Sequence, residues 1–561
     1  MDLPQALIDA LRLCKQSLIA CFVFSLFANL LNLVPAFYML NVYDKAVGSG
    51  SVYTLWSLTI FAAAMFIMLF VMEALRGQLL VAISARLDRR VSPELYQRVF
   101  INAVNVGGNR ASVQPLQDFL GLRQFITGNG VFALFDAPWL PIYLFVMYLF
   151  HPLIGLVGLL AAVLLLAVGV ANQKQTAPAM ERANTFNAQS SAATHRSLRN
   201  AEVVESMGML PHLQSEWRSN QEHVLENQTE ASNLSVVFTA LTKTIRLATQ
   251  SVAIAAGAYL VIEQEISPGM LIAGSLLVGR ALQPVEIALG SWKGFVDAKT
   301  YYKRIRDVLE KIPLPEARMP LPPLAGKVSV VNAVLVPPGS SHPTVSYATF
   351  EVEEGECCCI IGPSGAGKSS LMRGLLGLWP TAQGEIRLSG GEASKYLRAE
   401  IGPQLGYLPQ DIELLEGSIS SNICRFGEVD AAAIVEAAMA AGVHELILSF
   451  ANGYETMIDQ PGGMLSPGQR QRIALARALY QWPKLVILDE PNSNLDEAGE
   501  IALVQAISAL KARRSTVICA THRQSILPLA DKLVVMGGGR VVRVGPAAEI
   551  LTEIANHKKT A

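Results

Sequence analysis

Long apolar segments fill the first half of this chain and restrict what that half can fold into. Each is long enough to cross a bilayer as a helix, which takes about 17 to 25 residues. Only 16% of the 561 residues are charged, whereas typical soluble domains carry about 25%. The sequence therefore predicts an α-helical, six-span domain over residues 1–311, surrounded by membrane lipids. The spans are predicted near residues 17–41, 53–76, 129–149, 152–172, 236–262 and 268–290.

The connections between the predicted spans alternate between long and short. Spans two and three, and spans four and five, are joined by long polar stretches, whereas short turns such as Glu263-Gln264-Glu265 join the others. Basic residues concentrate in the long stretches and before the first span, and such residues favour the cytoplasmic side. We therefore expect cytoplasmic helical extensions. A short transverse helix at Asn200–Met209 would contact a cytoplasmic domain there, or would be a plain solvated bend.

Polar residues inside the last two predicted spans need an explanation, because a charge at mid-bilayer costs about 3 kcal/mol or more. Arg280, Gln283 and Glu286 recur at helical spacing, so they share one face and are predicted to line a translocation path. Lys243 and Arg246 could face the same cavity. The alternative is that Lys243 and Arg246 reach the cytoplasmic interface while Arg280 pairs with Glu286. The sequence leaves both interpretations open.

A proline-rich segment separates the apolar half from the rest of the chain. Five prolines lie between Ile312 and Pro323, and proline cannot continue a helix because it lacks the amide proton. We assign residues 312–326 to a linker. Residues 327–561 then alternate β-like runs with helical patterns and are predicted to form an α/β domain.

A glycine-rich run after a short apolar strand predicts a phosphate-binding loop. Glycine permits positive φ and close approach, so successive N–H groups can point at phosphate oxygens. Lys368 can reach the β- and γ-phosphates of a nucleotide, and the Ser369 hydroxyl can bind Mg²⁺. An ordinary glycine-rich turn is the alternative. The run and the residue after it are Gly362, Pro363, Ser364, Gly365, Ala366, Gly367, Lys368, Ser369 and Ser370.

Two carboxylates end a second apolar run, at residues 484–488. Asp489 at such a strand end can hold Mg²⁺ through water, and Glu490 can orient and deprotonate the attacking water. The alternative is that both acids are solvated at the end of a buried strand and take no part in a reaction. The upstream phosphate-binding loop favours the catalytic interpretation.

Further motifs follow in an order that resembles the ATP-binding-cassette family. Leu465-Ser466-Pro467-Gly468-Gln469 is similar to the family's signature motif and precedes a predicted helix at residues 473–480. Gln410 matches the loop glutamine, residues 493–496 match the dimer loop, and His522 matches the switch histidine. The resemblance implies a homodimer in which ATP lies between one copy's phosphate loop and Ser466, Gly468 and Gln469 of the other. It also implies that Gln410 binds Mg²⁺ and that His522 contacts the γ-phosphate.

Two positions depart from the family pattern. Pro467 stands where the signature motif usually has a glycine, which removes one N–H donor and fixes φ. Val336 occupies the position of the aromatic residue that commonly stacks on adenine. We expect weaker base recognition, whereas phosphate chemistry should be unaffected.

One membrane domain fused to one ATP-binding domain resembles an exporter-type half-transporter. Residues 135–143, 200–209, 279–286 and 336–339 resemble type I secretion transporters of the protease and repeats-in-toxin branch. This resemblance implies a bacterial inner-membrane protein that exports polypeptides with a C-terminal signal, together with a periplasmic adaptor and an outer-membrane channel. A lipid or drug exporter of the same architecture, or a non-transporting regulatory ATPase, is the alternative. The net charge of −1 argues against a nucleic-acid partner.

Overall fold

The computed structural model describes residues 5–106, 112–314, 321–458 and 465–560. The chain divides into two compact units, Met1–Val99 with Ser112–Pro313 and Phe100–Ala111 with Leu314–Ala561, so that the last boundary falls between Pro313 and Leu314. This boundary lies inside the predicted linker, of which residues 315–320 are outside the described residues. The first unit is helical and the second is an α/β domain, which confirms the predicted fold class.

The described part of the first unit is built from helices. A π-helical segment at Val42–Val47 and a 3₁₀ turn at Ala137–Trp139 interrupt the α-helices. The α-helices are α1 (Gln5–Leu31), α2 (Val34–Asn41), α3 (Val52–Asn105), α4 (Gln114–Thr127), α5 (Asn129–Asp136), α6 (Leu140–Phe150), α7 (Pro152–Arg199), α8 (Ala201–Ser206), α9 (Leu210–Ile262), α10 (Pro268–Gly290) and α11 (Trp292–Lys311).

Within the described residues, six helical stretches are long and apolar enough to cross a membrane, which confirms the predicted number of spans. α3, α7 and α9 have 54, 48 and 53 residues. At 1.5 Å per residue they are about 70 to 80 Å long, whereas the hydrocarbon core is about 30 Å thick. These helices therefore extend beyond the bilayer, as the long polar stretches predict. α8 is a separate short helix between α7 and α9, whereas its contact with a cytoplasmic domain stays a prediction.

Two of the predicted spans are interrupted where prolines begin a new helix. The first span breaks at Asn32 and Leu33, and Pro35 lies in the first turn of α2. The third span breaks at the 3₁₀ turn, after which Pro141 lies in the first turn of α6. Proline is tolerated there because the first-turn N–H groups have no intrahelical partner. By contrast, α10 continues through Pro284, which is buried.

The helix that follows the last span is held against α3 and α4. Ile305 and Leu309 of α11 share an apolar cluster with residues of α3 and α4. Asp118 of α4 has a fully buried side chain and pairs with Arg304 of α11 at 2.7 Å. Arg98 of α3 donates to the Leu309 carbonyl at 2.6 Å and to the Ile312 carbonyl. α11 is thus clamped by charge as well as by apolar packing.

The second unit contains two larger sheets and the helices that pack on them. The strands are β1 (Val328–Leu335), β2 (Val345–Val352), β3 (Cys357–Ile361), β4 (Gln383–Leu388), β5 (Gly391–Glu392), β6 (Leu405–Leu408), β7 (Gly417–Ser418), β8 (Met457–Ile458), β9 (Leu485–Asp489), β10 (Thr516–Ala520), β11 (Lys532–Gly537) and β12 (Arg540–Pro546). The helices are α12 (Lys368–Leu375), α13 (Arg398–Ile401), α14 (Ile419–Ile423), α15 (Ala431–Ala440), α16 (His444–Ser449), α17 (Pro467–Leu479), α18 (Glu497–Ala512) and α19 (Ala547–Thr560).

The central sheet has the order β12-β11-β3-β10-β9-β6, with β11, β3, β10, β9 and β6 parallel and β12 antiparallel at one edge. A second sheet, β2-β1-β4-β5, is antiparallel. The carboxyl ends of β3, β9 and β10 lie side by side, since these three strands are neighbours. Ligands of open α/β sheets bind at such an edge.

Both faces of β3 are buried, which explains its run of three cysteines. Cys357 and Cys359 pack into one apolar cluster and Cys358 into the cluster on the opposite face. All three are free thiols, and burial together with hydrogen bonding raises the pKa of Cys357 far above its ordinary value. They therefore act as small buried apolar residues.

Candidate ATP-binding and hydrolysis site

The predicted phosphate loop connects β3 to the N-terminus of α12. Lys368, the first residue of α12, is buried and donates from Nζ to the carbonyls of Gly362 at 3.0 Å and Pro363 at 3.1 Å. Burial lowers the pKa of Lys368, while the charges of Glu490 and Asp489 oppose that shift. The ammonium group is therefore enclosed by the loop and close to both carboxylates.

Gly367 allows the loop to approach a neighbouring strand. Its φ is +93°, and a Cβ at this position would lie 2.6 Å from the Thr344 carbonyl oxygen. Any other residue would be strained both by its backbone conformation and by this contact. Around it, Ala366 is buried, Ser370 is half-buried, and Pro363, Ser364 and Gly365 are exposed. The structure thus brings the whole predicted loop together in one turn.

Asp489 and Ser369 form a pair of oxygen donors next to the loop. Asp489 ends β9 and is 3% exposed. Burial raises the pKa of Asp489, and a hydrogen bond from Ser369 opposes that shift. Among the described residues, its buried Oδ1 has no hydrogen-bond partner. Mg²⁺ prefers such oxygen ligands and keeps several waters, so these residues fit the predicted ion.

Glu490 lies at the centre of a three-residue cluster. One carboxylate oxygen accepts from Gln410 Nε2 at 3.1 Å, and the other lies 3.1 Å from His522 Nε2. Glu490 has a φ of +51°, and its N–H donates to the Ala520 carbonyl at the end of β10. The structure therefore brings Gln410, Glu490 and His522 together.

The signature motif begins α17 rather than preceding it by several residues. Ser466 caps the helix by accepting from the Gln469 N–H at 3.3 Å, and the Gln469 side chain accepts from the Ser466 N–H at 2.9 Å. Pro467 occupies the first turn, where its fixed φ suits a helix. The expected helix start at residue 473 is thus wrong, because this reciprocal cap extends the helix back to Pro467. The Ser466 hydroxyl proton remains able to donate outward.

Gly468 and Gln471 of α17 lie against Asn494 of the predicted dimer loop. A Cβ on Gly468 would lie 2.8 Å from the Asn494 carbonyl oxygen. Gln471 is 1% exposed, accepts from the Asn494 N–H at 3.0 Å, and donates to the Pro491 carbonyl. Sequence reasoning missed Gln471, although its place two residues after Gln469 on an otherwise apolar helix face is a signal for a buried amide.

Val336 lies just after β1 and is half-buried. It supplies an aliphatic side chain at the position where the resemblance implies an aromatic one.

The predicted path residues separate into two groups in the membrane unit. Arg280 and Gln283 line a cavity of about 360 Å³, and Arg280 donates to the Gln283 side chain at 3.3 Å. Glu286 instead pairs with Arg246 of α9 at 3.1 Å. The alternative interpretation expected Arg280 to pair with Glu286. Glu286 pairs instead with Arg246, so this ion pair joins α10 to α9.

Comparison with known proteins agrees with this architecture. The family described as ABC transporter transmembrane region matches residues 18–285, and the family described as ABC transporter matches residues 345–493. The chain is 40% identical to the type I secretion system ATP-binding protein PrsD of Rhizobium meliloti, over 97% of this chain and 94% of that protein. The chain therefore belongs to the ABC transporter family. It is an ATP-hydrolysing, multi-pass membrane transporter with a cytoplasmic ATPase domain.

More distant proteins share the same organisation. The leukotoxin translocation ATP-binding protein LktB of Mannheimia haemolytica is 26% identical over 94% of this chain and 75% of its own length. A solved structure of a bacterial Atm1-family ABC exporter with ATP bound matches with a TM-score of 0.83 at 20% identity, covering 96% of both chains. The structural likeness shows the exporter fold.

Proposed function

We propose that this protein uses ATP hydrolysis to export an unfolded polypeptide across the bacterial inner membrane as part of a type I secretion system. The observation that carries the proposal is the similarity to PrsD along nearly the full length of both chains. The polar cavity in the membrane unit supports it, because an extended polypeptide carries amides and charges that need a wet, polar route. A lipid exporter could use apolar walls.

ATP binding relies on the loop and on a second copy of the chain. The backbone N–H groups of residue 362 and residues 364–369 would surround the phosphates. Lys368 would give up its hydrogen bonds to the loop carbonyls and bind the β- and γ-phosphates instead. Ser466, Gly468 and Gln469 of a partner copy would donate to the γ-phosphate from a helix N-terminus. We therefore infer a homodimer with two composite sites.

Hydrolysis depends on the carboxylate of Glu490. Gln410 and His522 hold this carboxylate in place, and it accepts a proton from the attacking water. The water oxygen forms a bond to the γ-phosphorus, and the bond from that phosphorus to the bridging oxygen of ADP breaks. During this step His522 donates to an oxygen of the γ-phosphate and stabilises the charge of the transition state. Ser369, Asp489 and Gln410 would hold Mg²⁺, which neutralises phosphate charge when bound.

The remaining partners follow from the proposed system. The secreted polypeptide is a protease, lipase or repeats-in-toxin protein with a C-terminal signal, and a periplasmic adaptor and outer-membrane channel complete the route. The predicted path residues Arg280, Gln283 and Glu286 belong to the export pathway in this proposal. Glu286 would act through its pair with Arg246, whereas Arg280 and Gln283 face the cavity.

Polypeptide export is tested by ATPase stimulation in nanodiscs. An unfolded polypeptide that carries its C-terminal signal should raise the ATP hydrolysis rate, and the same polypeptide without that signal should raise it less. Lipids and small hydrophobic drugs serve as competing substrates. Stimulation by these compounds but by no polypeptide would replace the proposal with the lipid or drug exporter.

A further inference from the structure

The cavity in the membrane unit is polar on most of its surface. Two arginines, two acids and three amide side chains line it together with the Tyr143 hydroxyl. Its volume, about 360 Å³, is at the small end of the range for ligand pockets, about 300 to 1,000 Å³. It can take a side chain or a short extended segment, but no folded element. The lining residues are Asn29, Asn32, Glu73, Arg76, Phe132, Asp136, Tyr143, Arg280, Gln283, Pro284 and Ile287.

The cavity lies at membrane depth. α10 begins at Pro268, directly after the short turn that joins the last two spans, and Arg280 and Gln283 lie about 18 and 22 Å along it at 1.5 Å per residue. The hydrocarbon core is about 30 Å thick. Both residues therefore lie within the core, far from the depth of lipid phosphates on that side. Polar groups at this depth mark substrate or ion routes.

Arg76 forms an ion pair with each of the two acids that line the cavity. This residue is 4% exposed and lies 2.8 Å from both Asp136 and Glu73. Its guanidinium also covers the Phe132 ring at 4.3 Å. Asp136 further accepts from Asn29 at 2.7 Å. Arg76 and its partners thus join α1, α3 and α5 into one network.

Arg280 is the cation of the cavity that is left without an acid. It donates a hydrogen bond to the Gln283 side chain, and no carboxylate of the described ranges forms an ion pair with it. Glu286, one turn away, is held by Arg246. A guanidinium carries five N–H donors, so most of those of Arg280 are available to a ligand. An unpaired cation at this depth favours an anion.

We propose that the cavity binds an acidic side chain of the transported polypeptide, with Arg280 pairing its carboxylate. This inference rests on the proposed export of polypeptides. Asn29, Asn32 and Gln283 each offer a donor and an acceptor, which is what the adjoining peptide groups require. Because Arg280 has only a neutral partner, Gln283, the cavity favours a segment with an acidic side chain over the same segment with a neutral one.

The test uses the full-length protein in nanodiscs and labelled unstructured peptides. Three peptides are identical except that they carry Asp, Asn or Lys at the same positions, and fluorescence anisotropy measures their affinity. The wild type should bind the Asp peptide about tenfold more tightly than the Asn peptide, as expected for a charge-assisted hydrogen bond. Arg280→Gln should lose this preference while it still binds the Asn peptide as the wild type does.

Two further substitutions separate charge from a folding defect. Arg280→Lys should keep most of the preference, and Arg280→Glu should reverse it in favour of the Lys peptide. Arg182→Gln is the matched control, since Arg182 lies in the exposed part of α7 and pairs with an exposed glutamate at 3.6 Å. Its preference should equal that of the wild type.

The possible failures can be told apart. If Asp and Asn peptides bind equally and Arg280→Gln changes nothing, the acidic subsite is refuted while polypeptide export stands. If no peptide binds, the subsite and the proposed function fail together. The measurements are repeated with and without phosphatidylglycerol in the nanodisc. A preference that disappears only with this anionic lipid would assign the cavity to a lipid headgroup and overturn the proposal.

Discussion

Replacing the proposed catalytic base, Glu490→Gln, should separate ATP binding from ATP hydrolysis. The two carboxylate oxygens of Glu490 are each 3.1 Å from a donor, on Gln410 and His522. A glutamine has the same shape and keeps one acceptor. Its NH₂ group can donate to Gln410 if that amide turns over. The cluster therefore survives, but the group that takes the proton from water is gone.

The magnitudes follow from that difference. A positioned base contributes about 10²- to 10⁴-fold to rate, which is about 3 to 5 kcal/mol of transition-state stabilisation. We expect phosphate release at saturating MgATP to fall by that factor. The ATP affinity should stay within about threefold, because a neutral hydrogen bond worth about 0.5 to 1.5 kcal/mol is exchanged rather than lost.

The assay pairs phosphate release with titration of a fluorescent ATP analogue, using the purified protein in nanodiscs. Glu497→Gln is the matched control, because Glu497 is an exposed glutamate in the first turn of α18. It should hydrolyse ATP at nearly the wild-type rate. Turnover by Glu490→Gln that matches the wild type would refute the assignment of the base. An equal loss of binding and turnover would show that Glu490 holds the site together instead.

Four further outcomes are expected. Lys368→Ala should weaken ATP binding itself, measured with the same analogue, because the phosphates lose the cation enclosed in their loop; unchanged affinity would contradict this role. The protein should discriminate poorly between ATP and GTP, and Val336→Tyr should tighten nucleotide binding by about 1 kcal/mol; a strong native preference for ATP would mean that another side chain recognises the base. Burial raises the pKa of Asp489, and Mg²⁺ binds the ionised carboxylate. The Mg²⁺ concentration for half-maximal ATPase activity should therefore rise as the pH falls, beginning above the ordinary aspartate pKa of about 3.9. A Mg²⁺ requirement that stays constant down to that pH would contradict the role of Asp489 as a Mg²⁺ ligand. Arg304→Ala should destabilise the membrane unit by about 3 to 5 kcal/mol, seen as a lower unfolding temperature, because the buried Asp118 loses its ion-pair partner and keeps only the neutral donor Gln114, whereas Arg182→Ala should have little effect.

Much of the ATP site could be predicted from the sequence because its residues are tied to chain order. The apolar run before Asp489 ends where β9 ends, and the loop from Gly362 to Gly367 lies between a strand and a helix as its spacing indicates. In each case a local pattern fixes the element, and the parallel sheet then brings the strand ends together.

The start of the signature helix could also have been predicted. Ser466 followed by Gln469 is the pattern of a capping box, and proline is favoured at the first helical position. Treating Pro467 only as a departure from the family motif placed the helix start too late. The physical preference of the residues was more informative there than the comparison with the family.

The charge pairs of the membrane unit could not be predicted from local patterns. Arg76 meets Asp136 across 60 positions of sequence, and Glu286 meets Arg246 of the preceding helix. Helical spacing shows which residues share a face, but not which neighbouring helix that face meets. Helical spacing therefore predicted that Arg280 could pair with Glu286. Packing of α9 against α10 instead places Arg246 beside Glu286.

The hydrogen bonds and ion pair that hold α11 connect this helix mechanically to α3 and α4. Its C-terminal carbonyls are held by Arg98, and its middle is held by the pair of Arg304 with Asp118. The chain leaves this helix at Ile312 to enter the linker. A pull on the linker is therefore applied to α3 and α4 as well as to α10. Because α3 is continuous over 54 residues, a force at Arg98 can travel along one helix into the bilayer, and Pro93, which lies between them, is the position where that helix can bend.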